Sequence, residues 1–501
     1  MLVEEKPISL EAVESEVASY DNTSSSTIVE STYEERLIRK VDLHLILPLW
    51  CMFLVSFMDR INLGNVVVLG MPKDLHLQGH QYNVVLQSFF ITYLLFDIPS
   101  NIFLKRSRPS YFLSALSFFW GVSSLCQGLV KGFAGLLICR LFLGAFEAGA
   151  MPACIYMTSM YYKRHELQFR FNILWTAGIA AGCVSGLLAY AIDHLGGVGG
   201  LAGWRWILVL DGLLACILSL LAVFVLADWP HQARFFTASE KAFWARRTQG
   251  EAQDLASMER LDKAAVSRIL RDWKIWCGAF IYLGIGTSGY SAALFVPSIL
   301  RSLGYSGIQS QVQSIPIWAV ATVSAVMTGF ISDRVKHRYG FIMFGLCVAT
   351  TGYAILLGQG ASPSSRELDL GLPLAARHLA VFLAVGGTHI AQPVILIWLA
   401  NNLCGSYKRG VGAAIQILFG SIAGIVSSNS FVSEDAPRYF AGYGTVIGLL
   451  FMSGALSTVF ALGLIWENRK RERGERDYRL LLRDEERTNL GDDHPSFRFT
   501  L

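Results

Sequence analysis

Ionisable side chains stand inside stretches that are otherwise almost free of charge: Asp59 with Arg60, Asp97, Arg140, Glu147, Asp211 and His389. Such groups cost several kcal/mol in hydrocarbon unless paired or hydrated, so each marks a candidate functional position. Arg140 and Glu147 are seven residues apart, two helical turns, which puts them on one helix face with the carboxylate about 10 Å deeper. Arg60 lies about 22 Å from the inner start of its stretch and Arg140 about 10 Å from the outer start of its own, so both reach the outer half at nearly one level. Two guanidinium forks at matched depth suit a carboxylate or similar anion. Asp59 and Glu147, close to those arginines, are candidates to carry a proton.

A structural reading competes at each position. Arg140 with Glu147, or Asp59 with Arg140, also make sense as interhelical ion pairs that hold the first half together. Asp97, near the inner end of its span in Phe96-Asp97-Ile98-Pro99, is expected to brace helices. Asp211 follows Trp204-Arg205-Trp206 and has a local partner within reach. His389 reaches mid-depth beside Gln392 and Pro393, where a lone histidine either packs or relays protons. Tyr93, Trp175 and Tyr290 supply aromatic contacts on which selectivity would depend, and they join Arg60, Arg140, His389 and Gln392 as candidate binding residues.

These residues need elements long enough to bury them. The 501-residue chain is 53% apolar and only 16% charged, below the quarter charged usual for soluble domains. A bilayer core takes about 20 apolar residues per helix, and twelve such spans emerge: 45–66, 83–104, 111–130, 133–157, 169–192, 203–226, 273–300, 313–332, 340–359, 379–403, 410–431 and 439–465. The fold class expected is an all-α polytopic membrane protein. Residues 1–44, rich in Ser, Thr and Glu, read as a disordered tail, and 466–501 as a second tail. Segment 227–272, rich in both charge signs, separates six spans (45–226) from six more (273–465).

Loops after spans 2, 4, 8 and 10 are the basic ones: Lys105, Arg106 and Arg108; Lys163, Arg164 and Arg170; Arg334, Lys336 and Arg338; Lys408 and Arg409. The positive-inside rule therefore predicts both termini in the cytosol. The net charge of +4 gives no warrant for nucleic-acid binding. Nine cysteines lie in or beside apolar stretches, so neither a disulfide framework nor a metal site is implied.

Two six-span halves around a long linker are the signature of the major facilitator superfamily, whose halves enclose a central cavity. Gly329-Phe-Ile-Ser-Asp333-Arg334-Val-Lys-His-Arg338 resembles its loop motif G-x-x-x-D-R-x-x-x-R, in which Asp333, Arg334 and Arg338 brace or gate helix ends. Within the superfamily the chain resembles the fungal anion:cation symporters of the allantoate permease and nicotinic-acid permease type. The resemblance runs from about Glu34 to Arg469. It rests on Met58-Asp59-Arg60-Ile-Asn62-Leu-Gly64-Asn65, Ile98-Pro99-Ser100-Asn101, Arg140-Leu-Phe-Leu-Gly144-Ala-Phe-Glu147-Ala-Gly149, Gly203-Trp204-Arg205-Trp206 and Ala436-Pro437-Arg438-Tyr439. It implies that Arg60 and Arg140 are anion ligands and that Asp59 and Glu147 are proton sites. Asp97 departs from the group, which commonly has Glu there.

The expectation is a secondary transporter that takes up a small organic anion with protons, through alternating access, as a monomer in the plasma membrane. Export of a fungal metabolite and a transporter-like nutrient sensor are the alternatives. No cofactor is implied, and no nucleotide-cradling G-x-x-x-x-G-K-[ST], G-x-S-x-G elbow or H-E-x-x-H pair supports a pump or an enzyme.

Overall fold

The computed structural model describes residues 33–162, 164–193, 195, 197–249, 263–335, 337–358, 373–404, 406–432, 435–436, 438–481 and 491–501. Among them are helices and turns but no strand. Long helices run in order: α1 (Tyr33–Val68), α2 (Gln81–Arg106), α3 (Pro109–Leu129), α4 (Phe133–Glu147, resuming as Ala150–Tyr161), α5 (Arg164–Asp193) and α6 (Gly203–Val225). The second set is α7 (Trp273–Ser302), α8 (Gly307–Val335), α9 (Arg338–Leu357), α10 (Leu374–Asn401), α11 (Ser406–Ser430) and α12 (Phe440–Glu472). Each of the twelve expected spans overlies one of them. Among the described residues, eleven are long and apolar enough to cross a membrane. The exception, α2, has the length, at 26 residues, but is diluted by polar side chains such as Gln81, Asn83, Gln87, Thr92 and Asp97.

The pattern of burial is that of a bilayer protein. Large apolar side chains such as Phe103, Phe224, Phe451 and Leu462 are exposed, while Ser124, Gln127, Thr287, Ser288 and Ser427 are buried. Apolar flanks face lipid and small polar residues let helices approach closely. The break in α4 has a local cause. Pro152 has no N–H to donate to the carbonyl of Ala148, and the helix is interrupted at Ala148 and Gly149, directly after Glu147.

Helix α1 begins at Tyr33, twelve residues before the expected span. Its extension is held by the segment after α6. Lys40 pairs with Glu240 at 2.9 Å, and Arg247 of the linker helix Ala238–Gln249 bonds Glu34 at 2.6 Å and also Glu166. Trp244 of that helix is fully buried against Phe236, 5.4 Å between ring centroids. Asp228 accepts from Ser110 Oγ at 2.6 Å.

The end of the chain does the same for the second half. Asn468 Nδ2 donates to the Phe499 carbonyl at 2.9 Å, and Trp398 Nε1 and Asn402 Nδ2 both reach the Thr500 carbonyl at 3.0 Å. The Arg338 amide donates to the Leu501 carbonyl at 2.7 Å. Asp492, with no exposed surface, pairs with Lys274, at the start of α7, and with Lys408, near the start of α11. The described part of the second tail, expected as an unstructured cytosolic end, is therefore a fitted base.

The two halves meet at the end opposite these bases. Arg301 Nη1 donates to the Val68 carbonyl at 2.7 Å, Gln311 Nε2 to that of Asn65 at 3.2 Å, and Asn83 Nδ2 to that of Phe431 at 3.1 Å. At Gly64 in α1 a Cβ would run into the Leu294 carbonyl of α7, so only glycine permits this approach.

Burial by itself would raise the Asp492 carboxyl, but the ammonium groups of Lys274 and Lys408 outweigh it and hold the group below the usual aspartate value. A depressed carboxyl contributes stability above its unfolded pKa, about 3.9, and loses it as pH falls through the folded value. Asp492→Ala leaves the two ammonium groups only Asp272, 3.4 Å from Lys274 and 2.5 Å from Lys408, and is therefore expected to destabilise the purified protein at neutral pH by about 2 kcal/mol, read as a lower melting temperature. Thermal melts across pH should show the gap between wild type and variant narrowing only below about pH 4.

Candidate functional site

A cavity opens between the halves around Arg60. α1 contributes Phe53, Ser56, Phe57 and Arg60, α2 Tyr93, α4 Glu147, Ala150 and Met151, and α5 Trp175. Across from them stand Tyr282 and Tyr290 of α7 and Ile417, Gly420 and Ser421 of α11. Spacing explains the α1 wall, since residues 53, 56, 57 and 60 recur at three and four and share one helix face.

Arg60 and Glu147 are the charged pair of this cavity. Arg60 Nη2 donates to Glu147 Oε1 at 2.6 Å, and Ser56 Oγ, one turn earlier on α1, donates to the same oxygen. Both side chains are almost fully buried, at 8% and 0% exposed, so each charge depends on the other for stability. The guanidinium also lies 4.8 Å from the Phe57 ring, 5.1 Å from Phe89 and 5.2 Å from Tyr93. An aromatic box of this kind favours a cation edge-bound by hydrogen bonds and face-bound by rings. Tyr290, from the other half, touches it through a long 3.4 Å contact between its hydroxyl and Arg60 Nη1. Glu147 Oε2 has no hydrogen-bond partner.

The structure thus brings together Arg60, Glu147, Tyr93, Trp175 and Tyr290. It does not place Arg140 with them. Arg140 is 2% exposed, outside the cavity lining, with Nε and Nη2 unpartnered. The matched-depth picture of two arginines facing one anion therefore does not describe this conformation. The carboxylate two turns along α4 is taken by Arg60 instead. Asp59, next to Arg60 in sequence, points about 100° away around α1 and accepts from Ser124 of α3.

His389 is buried with Nδ1 2.8 Å from the Val385 carbonyl and its ring 5.5 Å from Trp318, outside the lining. Gln392 is outside the lining, its side-chain amide against Gly289 of α7. Asp97 is 8% exposed with Oδ1 unpartnered. Arg334 lies over the Phe330 ring at 4.1 Å, Arg338 meets the chain end, and the side chain of Asp333 lies outside the described residues. Asp211 does not pair locally: Arg205 donates to the Val130 carbonyl at 2.6 Å, and Asn62 donates to Asp211 at 2.5 Å.

Sequence reasoning missed Ser56, Tyr282 and Ser421. Ser56 carried a signal, four residues before Arg60 and hence one turn along the same face. Tyr282 and Ser421 carried none, because apolar helices hold many such residues.

A helical membrane bundle of two six-helix sets, with a buried ion pair in the cavity between them, defines a carrier-type membrane protein. The chain matches the Major Facilitator Superfamily model over residues 49–428 and belongs to that superfamily. It is similar to an uncharacterized transporter of Schizosaccharomyces pombe, 29% identical, with 91% of this chain and 90% of the relative covered. It is also similar to the high-affinity nicotinic acid transporter of Saccharomyces cerevisiae, 30% identical over 82% of this chain and 74% of that one. A third relative is the MFS-type transporter cnsO of Penicillium expansum, 29% identical over 97% and 95%. Among solved structures, a bacterial homologue of the human lysosomal transporter Spinster, inward-facing and occupied, superposes with a TM-score of 0.61 at 16% identity, covering 83% of this chain and 96% of that one. That likeness shows the fold alone. The protein is a multi-pass membrane transporter of this superfamily.

The pair makes a double-substitution prediction. Arg60→Met strands a buried carboxylate and Glu147→Gln a buried guanidinium, each expected to cost about 3 kcal/mol. The double variant removes both charges and should recover most of that loss. Melting temperatures of the four purified proteins measure the coupling, and additive losses would mean the two charges are not paired.

Proposed function

We propose that the protein takes up a small organic anion, a carboxylate in the first instance, together with protons, by alternating access of the two halves. The observation that carries this reading is the buried Arg60–Glu147 pair in the cavity between them. A guanidinium already neutralised by a carboxylate is a poor anion site. Protonating Glu147 frees Arg60, and an arriving anion then replaces Glu147 as its partner, so proton and anion load together. Aromatic neighbours Tyr93, Trp175 and Tyr290 would line the ligand, with Tyr290 reporting its presence to the second half.

The motifs shared with the anion:cation symporters and the nicotinic acid transporter among the relatives support this class of substrate. In this reading the halves 45–226 and 273–465 rock about the cavity, the termini lie in the cytosol, and the monomer works in the plasma membrane. Asp97, Asp333, Arg334 and Arg338 brace or gate the helix ends, and Arg140 is a second ligand only if the opposite conformation brings it to the cavity.

Radiolabelled nicotinic acid and a panel of other carboxylates, offered to cells expressing the chain at acidic and neutral external pH, test the reading. Uptake of at least one acid should be stronger at acidic pH. Arg60→Ala should reduce it about tenfold or more at equal surface expression, the worth of a charged hydrogen bond. Glu147→Gln should remove its pH dependence. Surface-expressed protein that takes up nothing but depletes a preloaded acid would replace import by export.

A further inference from the structure

Segment 491–501 lies along the inner base of the second half as a bound peptide lies in its receptor. Pro495 and Phe499 are buried and Phe497 and Leu501 partly so, while Ser496, Arg498 and Thr500 between them are exposed, the every-second-residue alternation of a chain laid on a surface. The surface supplies donors and the segment acceptors. Arg471 of α12 donates to the carbonyls of Asp492, His494 and Phe497 at 2.8, 3.2 and 2.7 Å. Asn402, just after α10, donates to the Thr500 carbonyl at 3.0 Å and accepts from the Thr500 amide at 2.9 Å. Asn468 of α12 holds Phe499 in the same two-point way, at 2.9 and 3.0 Å. The Phe499 ring sits between two cations, with Lys274 Nζ 4.4 Å and the Arg471 guanidinium 4.3 Å from its centroid. Gly491, at φ 58°, comes so near the Cys404 carbonyl that a Cβ would stand 2.9 Å from its oxygen.

Two features set this apart from an ordinary piece of core. The receptor keeps partners of its own when the segment leaves: Asp272 lies 3.4 Å from Lys274 and 2.5 Å from Lys408, and Glu467 3.5 Å from Arg471. Departure therefore strands no cation without a carboxylate, and the backbone groups of the segment return to water, which satisfies them. The second feature is what the segment joins. Asp492 pairs with Lys274 at the start of α7 and with Lys408 near the start of α11. Those two helices form the second-half wall of the cavity, through Tyr282 and Tyr290 on one and Gly420 and Ser421 on the other. With Asp492 in place two ammonium groups meet two carboxylates. Without it they share Asp272 alone, and the surplus positive charge drives the two helix ends apart.

We propose that the inner base of the second half is a peptide-docking site whose occupant is the chain's own segment 491–501, that docking is reversible, and that the docked segment clasps α7 to α11 beneath the cavity. Residues 482–490 join the segment to the turn at Asp477–Leu481, a short tether that keeps it at an effective concentration on the order of mM. The docking site does not depend on which solute is carried or in which direction, so failure of the uptake reading leaves it standing.

The test leaves the receptor untouched by placing every substitution in the segment. Full-length protein carrying Asp492→Asn with Phe499→Ala, and separately Gly491→Val, is reconstituted in lipid beside wild type. A fluorescein-labelled peptide of sequence 491–501, capped at both ends, is titrated by fluorescence anisotropy. It should bind both variants at least about tenfold more tightly than wild type, whose site the tethered segment already fills. Amide hydrogen exchange over the first two turns of α7 and of α11 should be about tenfold faster in the variants. Excess unlabelled peptide should return it to the wild-type rate, and a peptide carrying Asp492→Asn and Phe499→Ala should not. Should the double variant fail to fold, Gly491→Val, which removes no charge, carries the same test. Equal binding to wild type and variants, binding to none of them, or exchange identical in all three proteins overturns the proposal. So does fast exchange that saturating peptide leaves unchanged, which would make the segment a fixed part of the fold.

Discussion

A guanidinium and a carboxylate locked together at 2.6 Å inside a membrane bundle constrain everything around them. Neither charge is tolerable there alone, so α1 and α4 must keep their faces in register wherever Arg60 and Glu147 go. Ser56 is placed one turn below to share the load on Glu147 Oε1, and three rings shield the cation. The break in α4 falls immediately after Glu147 because Pro152 removes the bond to Ala148. It sets the carboxylate at a helix discontinuity, where its surroundings can rearrange without dragging a whole rigid helix along.

How much of this was legible in the sequence follows from what sequence periodicity encodes. Long apolar stretches fix the number and rough bounds of helices, since chain length per turn and bilayer thickness are both constants. Charges inside those stretches single out Asp59, Arg60, Arg140 and Glu147, because charge in hydrocarbon is conspicuous. Which of them meet was not legible. Positions 59 and 60 differ by one residue, yet one bonds α3 and the other α4, a choice made by helix rotation and packing that no single helix states. Depth alone matched Arg60 with Arg140, whereas a flexible arginine side chain reaches along its helix and met Glu147 instead. Gln392 and His389 are outside the cavity lining in this conformation, against Gly289 and Trp318.

The two segments after α6 and α12 show a repeat that composition conceals. Each returns beneath the half it follows. The linker helix carries Trp244 and Arg247 under α1, α4 and α5, and the chain end carries Asp492 and Phe499 under α7, α11 and α12. Neither resembles the other in sequence, and both are rich in charge, which is why they read as a plain linker and tail. Their shared effect is mechanical. Helix ends within one half are tied to a common base, so bending within a half is opposed and displacement is directed to the boundary between halves.

That boundary is held at the opposite end by contacts of a different kind. Backbone carbonyls of Asn65, Val68 and Phe431 accept single hydrogen bonds from Gln311, Arg301 and Asn83 across the gap, worth about 1 kcal/mol net for the two amide donors and about 2 kcal/mol for the guanidinium. Gly64 lets α1 touch the α7 backbone there, a close approach that gives shape without strong attraction. Tight charge clusters within each half and a few single bonds to backbone carbonyls between halves form a hierarchy of strengths. A ligand that changes the balance at Arg60 by a few kcal/mol competes with the second set and not with the first. The energy scale of binding is thereby matched to the contacts that must open, while the bases beneath each half stay intact.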